Sequence, residues 1–450
     1  MSKNNISIIG SGLVGSLLAL YLAKRKHQVA VYEQRPDMRS SALYGGRSIN
    51  LALSTRGWTA LDKVGVGDEI RKIATPMYGR QIHNADGSQV YQPYGKEGEA
   101  IYSVSRGELN KVLMTEAEKH EEVSFRFNQK LVKLDMKRNH LLMNDTEQDE
   151  TYEVSSDVIF GADGAYSRVR YGMQKMPRFN YSQDHLPHVY KELTIPAGPN
   201  GEYLIEKNAL HIWPRGHFMM IALPNFDGSF TCTLFVPHEG ADHIHDIKTP
   251  EQVSEYMQKH FADAVALMPN MIEDFLSNPI SNLVTVRCFP WINGKTALIG
   301  DASHAIVPFY GQGMNSGFED VRVLDDLLES GESDWSKILD TYQNLRKPNG
   351  DAIAELALNN FIEMRDLVAD PQFIFRKKIE KYLHEKMGDE FTPLYNLVSF
   401  SNISYKTALD TGYMQNRLFA DLFKEKDLES KWDSEFTVQF VKNWMQQNNL

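Results

Sequence analysis

The segment from Ile6 to Glu33 constrains this chain more than any other. Ile6, Ile8 and Ile9 make a short apolar run, Gly10-Ser11-Gly12-Leu13-Val14-Gly15 follows as a turn, and Leu13 to Lys24 carries a near-continuous apolar face at helical spacing. Gln28 to Tyr32 then reads as a second strand ending on Glu33. This order predicts a dinucleotide-binding β-α-β unit. Gly10 permits the tight turn, Gly12 lets a pyrophosphate approach the backbone, and Gly15 lets the helix pack close to the strand. Unpaired N–H groups and the helix dipole favour the phosphates at the helix N-terminus. Glu33 stands where a carboxylate accepts hydrogen bonds from an adenosine ribose, and it would repel a 2′-phosphate. The resident dinucleotide is therefore expected to be FAD or NAD rather than NADP.

Further along, Gly45 to Ser54 reads as a strand bracketed by glycines, and Arg80 to Tyr91 as a hairpin around Asp86-Gly87. Arg80 and Ile82 share one face of its first strand. Ser103 to Glu118 reads as a strand end and a helix that starts near Arg106. Asp157 to Phe160 is a buried strand running into Gly161-Ala162-Asp163-Gly164. From about Arg178 the composition shifts to strands rich in aromatics and Met, at Ala209 to Trp213, Phe218 to Leu223 and Ser229 to Val236, with one helix from Pro250 to Leu267. Dinucleotide-type features then return: the strand Thr296 to Ile299, Gly300-Asp301, the loop Gly311-Gln312-Gly313 and a helix from Asn315 to Leu328. From Trp335 onward the chain reads as helical.

These readings predict an α/β fold. Residues 1–177 and 287–334 form a discontinuous Rossmann-type domain, 178–286 an inserted, mainly antiparallel β-sheet substrate domain, and 335–450 a C-terminal helical region. At 450 residues the chain is long enough for such a division. A net charge of −11 argues against nucleic acid or an anionic membrane as partner, and no apolar run is long enough to span a bilayer. Cys232 and Cys288 are the two cysteines and have no paired spacing, so neither a disulfide framework nor a zinc site is expected. The first strand begins within five residues, which leaves no room for a leader, and a cytoplasmic protein is expected.

Gly300-Asp301 is the second informative site. An Asp at the carboxyl end of a strand, beside a helix N-terminus, can hold a polyol while backbone N–H groups meet phosphate or a flavin edge. A plain NAD dehydrogenase has no use for such a segment, whereas FAD with its ribityl chain does. His243 and His245 suggest a polar loop rather than a metal site, and no metal ligand set is expected. His304 is expected to be a structural histidine hydrogen-bonded in its loop. Phe436, Phe440 and Trp444 form an apolar stripe expected to dock on the protein body, because the opposite face carries few cations.

Three separated motifs together resemble one family. Gly10 to Gly15 with Glu33, Asp163-Gly164 with Arg168, and Gly300-Asp301 with Pro308 are similar to the FAD-binding set of single-component aromatic hydroxylases of the p-hydroxybenzoate hydroxylase type. Gly46 to Ser54, Pro308 to Asn315 and Asn360 to Arg365 resemble, more closely, the kynurenine 3-monooxygenase family, over most of the chain to about Val398. The resemblance implies tightly bound, non-covalent FAD held by Gly10, Gly12, Leu13, Val14, Gly15, Glu33 and Arg35. Arg47, Leu53, Arg106 and Asp163 belong to the same implied set, as do Asp301, Pro308, Gly311, Gly313, Met314 and Asn315. It also implies that Arg80, Tyr94 and Tyr395 bind the carboxylate of L-kynurenine, that Asn360 holds its amino-acid end and that Glu363 lines the pocket. Phe309, Tyr310 and Met364 would pack near the aromatic ring.

The implied reaction is hydroxylation of L-kynurenine to 3-hydroxykynurenine in tryptophan degradation. NADPH and O₂ are co-substrates, a flavin C4a-hydroperoxide is the oxygen donor, and no residue serves as a strong acid or base. A guanidinium fork and two phenols suit a carboxylate, which agrees with that assignment. Two readings stay open beside it: the same chemistry on another aromatic acid, and a flavin-dependent reductase or dehydrogenase. Tyr310 departs from the Phe or His common in the family. The C-terminus departs from the apolar tail of eukaryotic members and predicts a soluble, bacterial-type enzyme; a monomer or homodimer is expected.

Overall fold

The computed structural model describes residues 3–40, 50–367 and 370–448. Among these, a six-stranded sheet runs in the order Ile292–Asn293, Thr296–Leu298, Val158–Gly161, Asn5–Ile9, Gln28–Tyr32, Val123–Arg126. Its inner pairings are parallel, with Ile8 opposite both Val31 and Phe160. These strands are short apolar runs because both faces of the sheet are covered.

The helix Leu13–Lys24 covers one face and lies against the helices Arg106–Glu118 and Gly313–Glu329. It is wrapped on nearly all sides, so Leu17, Leu18, Leu20 and Leu22 are each buried to 2% exposure or less. Each such leucine contributes about 1.5–3 kcal/mol of transfer free energy. The close approach depends on Gly15, where an added Cβ would lie 2.0 Å from the carbonyl oxygen of Gly10. Gly15→Ala is therefore expected to cost about 1–3 kcal/mol through overpacking. Urea unfolding and the flavin content of the purified protein measure it, and wild-type values for both would refute the packing role assigned to Gly15.

The second large sheet has seven strands in the order Ser281–Phe289, Asn180–Ile195, Phe230–Pro237, Met219–Pro224, Ala209–Pro214, Gly79–His83, Gln89–Pro93. The three strands expected from the aromatic-rich region form its centre. Two outcomes differ from expectation. The Gly79–Pro93 hairpin, early in the chain, joins this sheet through a parallel pairing of Arg80 with Leu210. The long strand Asn180–Ile195 carries Pro187 and polar residues that hide it from a pattern search. The structure accommodates Pro187 where the register slips between His185 and Val189, a position that needs no ladder hydrogen bond. The expected helix is present as Pro250–Val265, and a second, Met271–Ser277, follows it that was not expected.

The C-terminal region is helical as expected, from Trp335–Ile362 through Glu435–Gln447. Phe436, Phe440 and Trp444 pack on its own cluster around Leu383, Phe419 and Leu422. Among the described residues no helix is long and apolar enough to cross a membrane.

Candidate active site

The turn after the first strand opens onto a cleft of about 570 Å³ lined by Gly10, Gly12, Leu13, Glu33, Arg35, Arg106 and Asp163. A second cavity, about 350 Å³, continues from it through Gly12, Leu13, Arg106 and Gly164, which line both. The second is mostly apolar and lies between the two large sheets. Its wall takes Val14, Asp301, Pro308, Gly311, Gly313 and Met314 from the first domain, and Leu210, Leu223 and Phe235 from the seven-stranded sheet.

The cleft fits an extended dinucleotide on three observations. Among the described residues a Cβ at Gly12 would meet nothing within 4 Å, so they leave the backbone there open. The helix Leu13–Lys24 has no side-chain cap and no acidic residue in its first turn, leaving its N–H groups for an anion. Glu33 is held in place by Ser11, whose N donates to its Oε2 at 3.1 Å, and by Arg35, whose N donates to its Oε1 at 3.0 Å. At the other end, Asp301 opens the short helix Asp301–His304 after Gly300, whose φ of +61° is one that L side chains rarely adopt.

Several expected cofactor residues support the wall from behind. Leu53 and Asn315 are fully buried. Asn315 accepts from Ser54 N through Oδ1 and donates through Nδ2 to the carbonyls of Ala52 and Gly311, each at 2.8–2.9 Å. Asp163 accepts from Ser167 Oγ and from the backbone N of Arg168 and Val169, so it caps the helix Arg168–Met173 and fixes the Gly164 turn. His304 is hydrogen-bonded, though not within its loop as expected: its Nε2 lies 2.6 Å from Oδ2 of Asp320 on the helix Gly313–Glu329. His243 and His245 sit in a loop, with ring centroids 6.2 Å apart. Arg47 lies outside the described residues.

The far end of the apolar cavity is polar. Arg80 comes in on the hairpin strand and is 8% exposed. Its guanidinium carbon lies 5.4 Å from the Tyr94 ring and 5.1 Å from the Tyr395 ring, and those two rings stack at 5.0 Å with only 9° between their planes. Tyr310 continues the stack onto Tyr395 at 5.7 Å. Burial opposes the charge on Arg80, but the oxygens of Tyr94, Tyr395 and Glu363 outweigh it and raise the pKa. Burial pushes the Tyr94 phenol well above its usual value, and burial with Glu363 does the same for Tyr310. Both phenols therefore remain donors. Arg80 Nε and Tyr94 Oη have no hydrogen-bond partner among the described residues, although both are buried. Tyr94 does neighbour Arg80 and Tyr395, but two buried polar atoms without a well-formed bond beside an apolar cavity are costly unless a ligand completes them.

The remaining expected substrate residues divide. Phe309 and Met364 reach the wall. Phe309 is clamped between Phe361 at 4.3 Å and Phe235 at 4.9 Å. Asn360 stands behind it and donates from Nδ2 to the Phe309 carbonyl at 2.7 Å, which places the aromatic turn. Glu363 lies beyond Arg80, 3.7 Å from Nη1. The apolar wall from the second sheet was not foreseen; the inward alternation of Leu210 and Ile212, or of Leu223 and Ile221, was the available signal.

A family model described as an FAD binding domain matches residues 3–357. The kynurenine 3-monooxygenase of Flavobacterium johnsoniae is 49% identical over 430 residues, covering 95% of this chain and 96% of that protein. The Sus scrofa enzyme of the same name is 44% identical over 412 residues, or 91% and 86% of the two chains. The chain belongs to the kynurenine 3-monooxygenase family. Among solved structures, p-nitrophenol 4-monooxygenase PnpA from Pseudomonas putida superposes with a TM-score of 0.67 at 18% identity, over 90% of this chain and 98% of that one. At that identity the likeness concerns the fold, which is the α/β architecture with an FAD-binding domain and a helical C-terminal region expected from the sequence. The family model and these relatives show an FAD-binding chain.

Proposed function

We propose that this protein hydroxylates L-kynurenine at ring position 3, using bound FAD, NADPH and O₂. The observation that carries the assignment is the pair of buried, unpaired donors on Arg80 and Tyr94 at the polar end of an otherwise apolar cavity. An aryl amino acid matches that division: its carboxylate meets the guanidinium and the phenols, and its ring lies against Phe309 and Met364. FAD, when bound, supplies the redox and oxygen chemistry.

The chain's own residues bind, orient and keep the cavity dry. Arg80 presents a fork already held beside the stacked Tyr94 and Tyr395 rings, so little side-chain freedom is lost on binding. Tyr94 donates to the same carboxylate. Asn360 fixes the Phe309 carbonyl and hence the ring wall. Phe235, Leu223 and Leu210 exclude water from the space between ring and cofactor. The amino group on the substrate ring activates the neighbouring carbon, so the cavity needs no strong base, in keeping with phenols that stay protonated.

The test is incubation of the flavin-loaded protein with NADPH, air and L-kynurenine. A product heavier by one oxygen atom is expected by mass spectrometry, with NADPH consumed faster when the amino acid is present. Equal NADPH consumption with and without it, and no oxygenated product, would reject the proposal.

A further inference from the structure

Behind Arg80 the structure lines up alternating charges drawn from two helical segments. Glu363 opens the π-helical turn Glu363–Leu367 that follows the helix Trp335–Ile362. Its Oε1 faces Arg80 Nη1 at 3.7 Å and its Oε2 faces Lys377 Nζ at 3.9 Å. Lys377 lies on the helix Pro371–Met387 and donates to Oε2 of Glu380 at 3.1 Å, while Arg376 Nε donates to Oε1 of Glu380 at 2.7 Å. The two carboxylates differ in kind. Glu380 is hydrogen-bonded by two cations, whereas Glu363 has only those two longer ion contacts among the described residues, both beyond hydrogen-bond distance. Glu363 is suspended between two positive groups, one of which is the guanidinium meant for a ligand.

A carboxylate this close to a buried arginine would be expected to close on it and form a forked pair. It would then occupy the donors that a ligand carboxylate needs. The opposing pull comes from Lys377, whose charge is disfavoured by burial but held by Glu363 and Glu380, so that its pKa is raised. Lys377 does not line the cavity, and Glu363 stands between it and Arg80.

We propose that Lys377 is a positioning residue that holds Glu363 off Arg80 and so keeps the carboxylate-binding site open. The proposal rests on the assignment of Arg80 as the carboxylate receptor made above. Without Lys377, Glu363 moves onto the guanidinium and competes with the ligand. With Lys377 present, an arriving carboxylate displaces nothing.

A double-mutant cycle on the flavin-loaded protein tests this, read by the flavin absorbance change on titration with L-kynurenine and with 3-benzoylpropanoate, which keeps the carboxylate and drops both amino groups. Lys377→Met should weaken 3-benzoylpropanoate binding about 5- to 10-fold. Adding Glu363→Gln should restore it to within about twofold of the Glu363→Gln single variant, because a neutral amide no longer competes. Lys377→Arg should stay close to wild type. In turnover the Lys377→Met effect should fall on KM, with kcat little changed. Losses from Lys377→Met and Glu363→Gln that simply add, or no loss from Lys377→Met, would overturn the proposal. Wild-type protein that binds neither ligand, or binds both equally well after Arg80→Met, would instead count against the function assigned above.

Discussion

Replacing Arg80 by Met should raise the dissociation constant for L-kynurenine by roughly 30-fold to several-thousand-fold, a loss of about 2–5 kcal/mol. Three features place the effect in that range. The guanidinium side chain is 10% exposed, so water cannot replace it as a partner for the carboxylate. The ligand carboxylate would be left in a buried site with phenols alone. Tyr94, Tyr310 and Tyr395 still stack without Arg80, and Met fills much of its stem volume, so the cavity should persist. Arg80→Lys should recover only part of the affinity, because a point charge does not fork onto both oxygens and packs less well beside the two rings. Titration followed by flavin absorbance measures the constant, and an unchanged flavin content shows that the fold survived. A dissociation constant within threefold of wild type would remove Arg80 from its assigned role.

How much of this was legible in the sequence follows from the range of the forces involved. Gly10, Gly12, Gly15 and Glu33 could be placed because the turn, the helix N-terminus and the two strands are local, and each residue type has one backbone reason to be there. The hairpin around Asp86-Gly87 was equally local, and it correctly put Arg80 and Ile82 on one buried face. Its attachment to Ala209–Pro214 was not local. A parallel pairing between segments so far apart leaves no mark in either run of residues.

The same limit applies to the site. Asn315 and Asn360 have the composition of ligand-binding residues, but amides also suit exposed backbone carbonyls. Here they serve Ala52, Gly311 and Phe309, and only the tertiary neighbours show it. Tyr395 and Lys377 lie on C-terminal helices whose sequence looks like ordinary amphipathic surface. Resemblance to a family picked out Tyr395; nothing picked out Lys377, whose significance is its distance from Glu363.

The C-terminal helices are in turn held by a buried charge cluster, where the largest loss of stability is expected. Arg56 is fully buried; its Nη1 donates to Oε1 of Glu319 at 2.8 Å, Nε to the Val398 carbonyl at 3.3 Å, and Nη2 to the carbonyl of Ile403. Its guanidinium carbon lies 3.9 Å from the ring centroid of Tyr405. Arg346 donates to the other oxygen of Glu319 at 2.6 Å and to Oδ1 of Asp320 at 2.6 Å. Asp320 also accepts from Gly300 N and pairs with His304. One cluster therefore braces both the Gly300-Asp301 turn, which borders the apolar cavity, and the segment that follows Tyr395. Glu319→Ala would leave the buried Arg56 guanidinium with backbone carbonyls alone and that of Arg346 with Asp320, at a cost of about 3–5 kcal/mol. Urea unfolding should show that loss, together with weaker retention of flavin. Arg56→Met combined with Glu319→Gln leaves Arg346 balanced by Asp320. The double variant should therefore be more stable than Glu319→Ala despite carrying two changes. If it is less stable by the sum of its parts, the cluster is held by packing and not by charge balance.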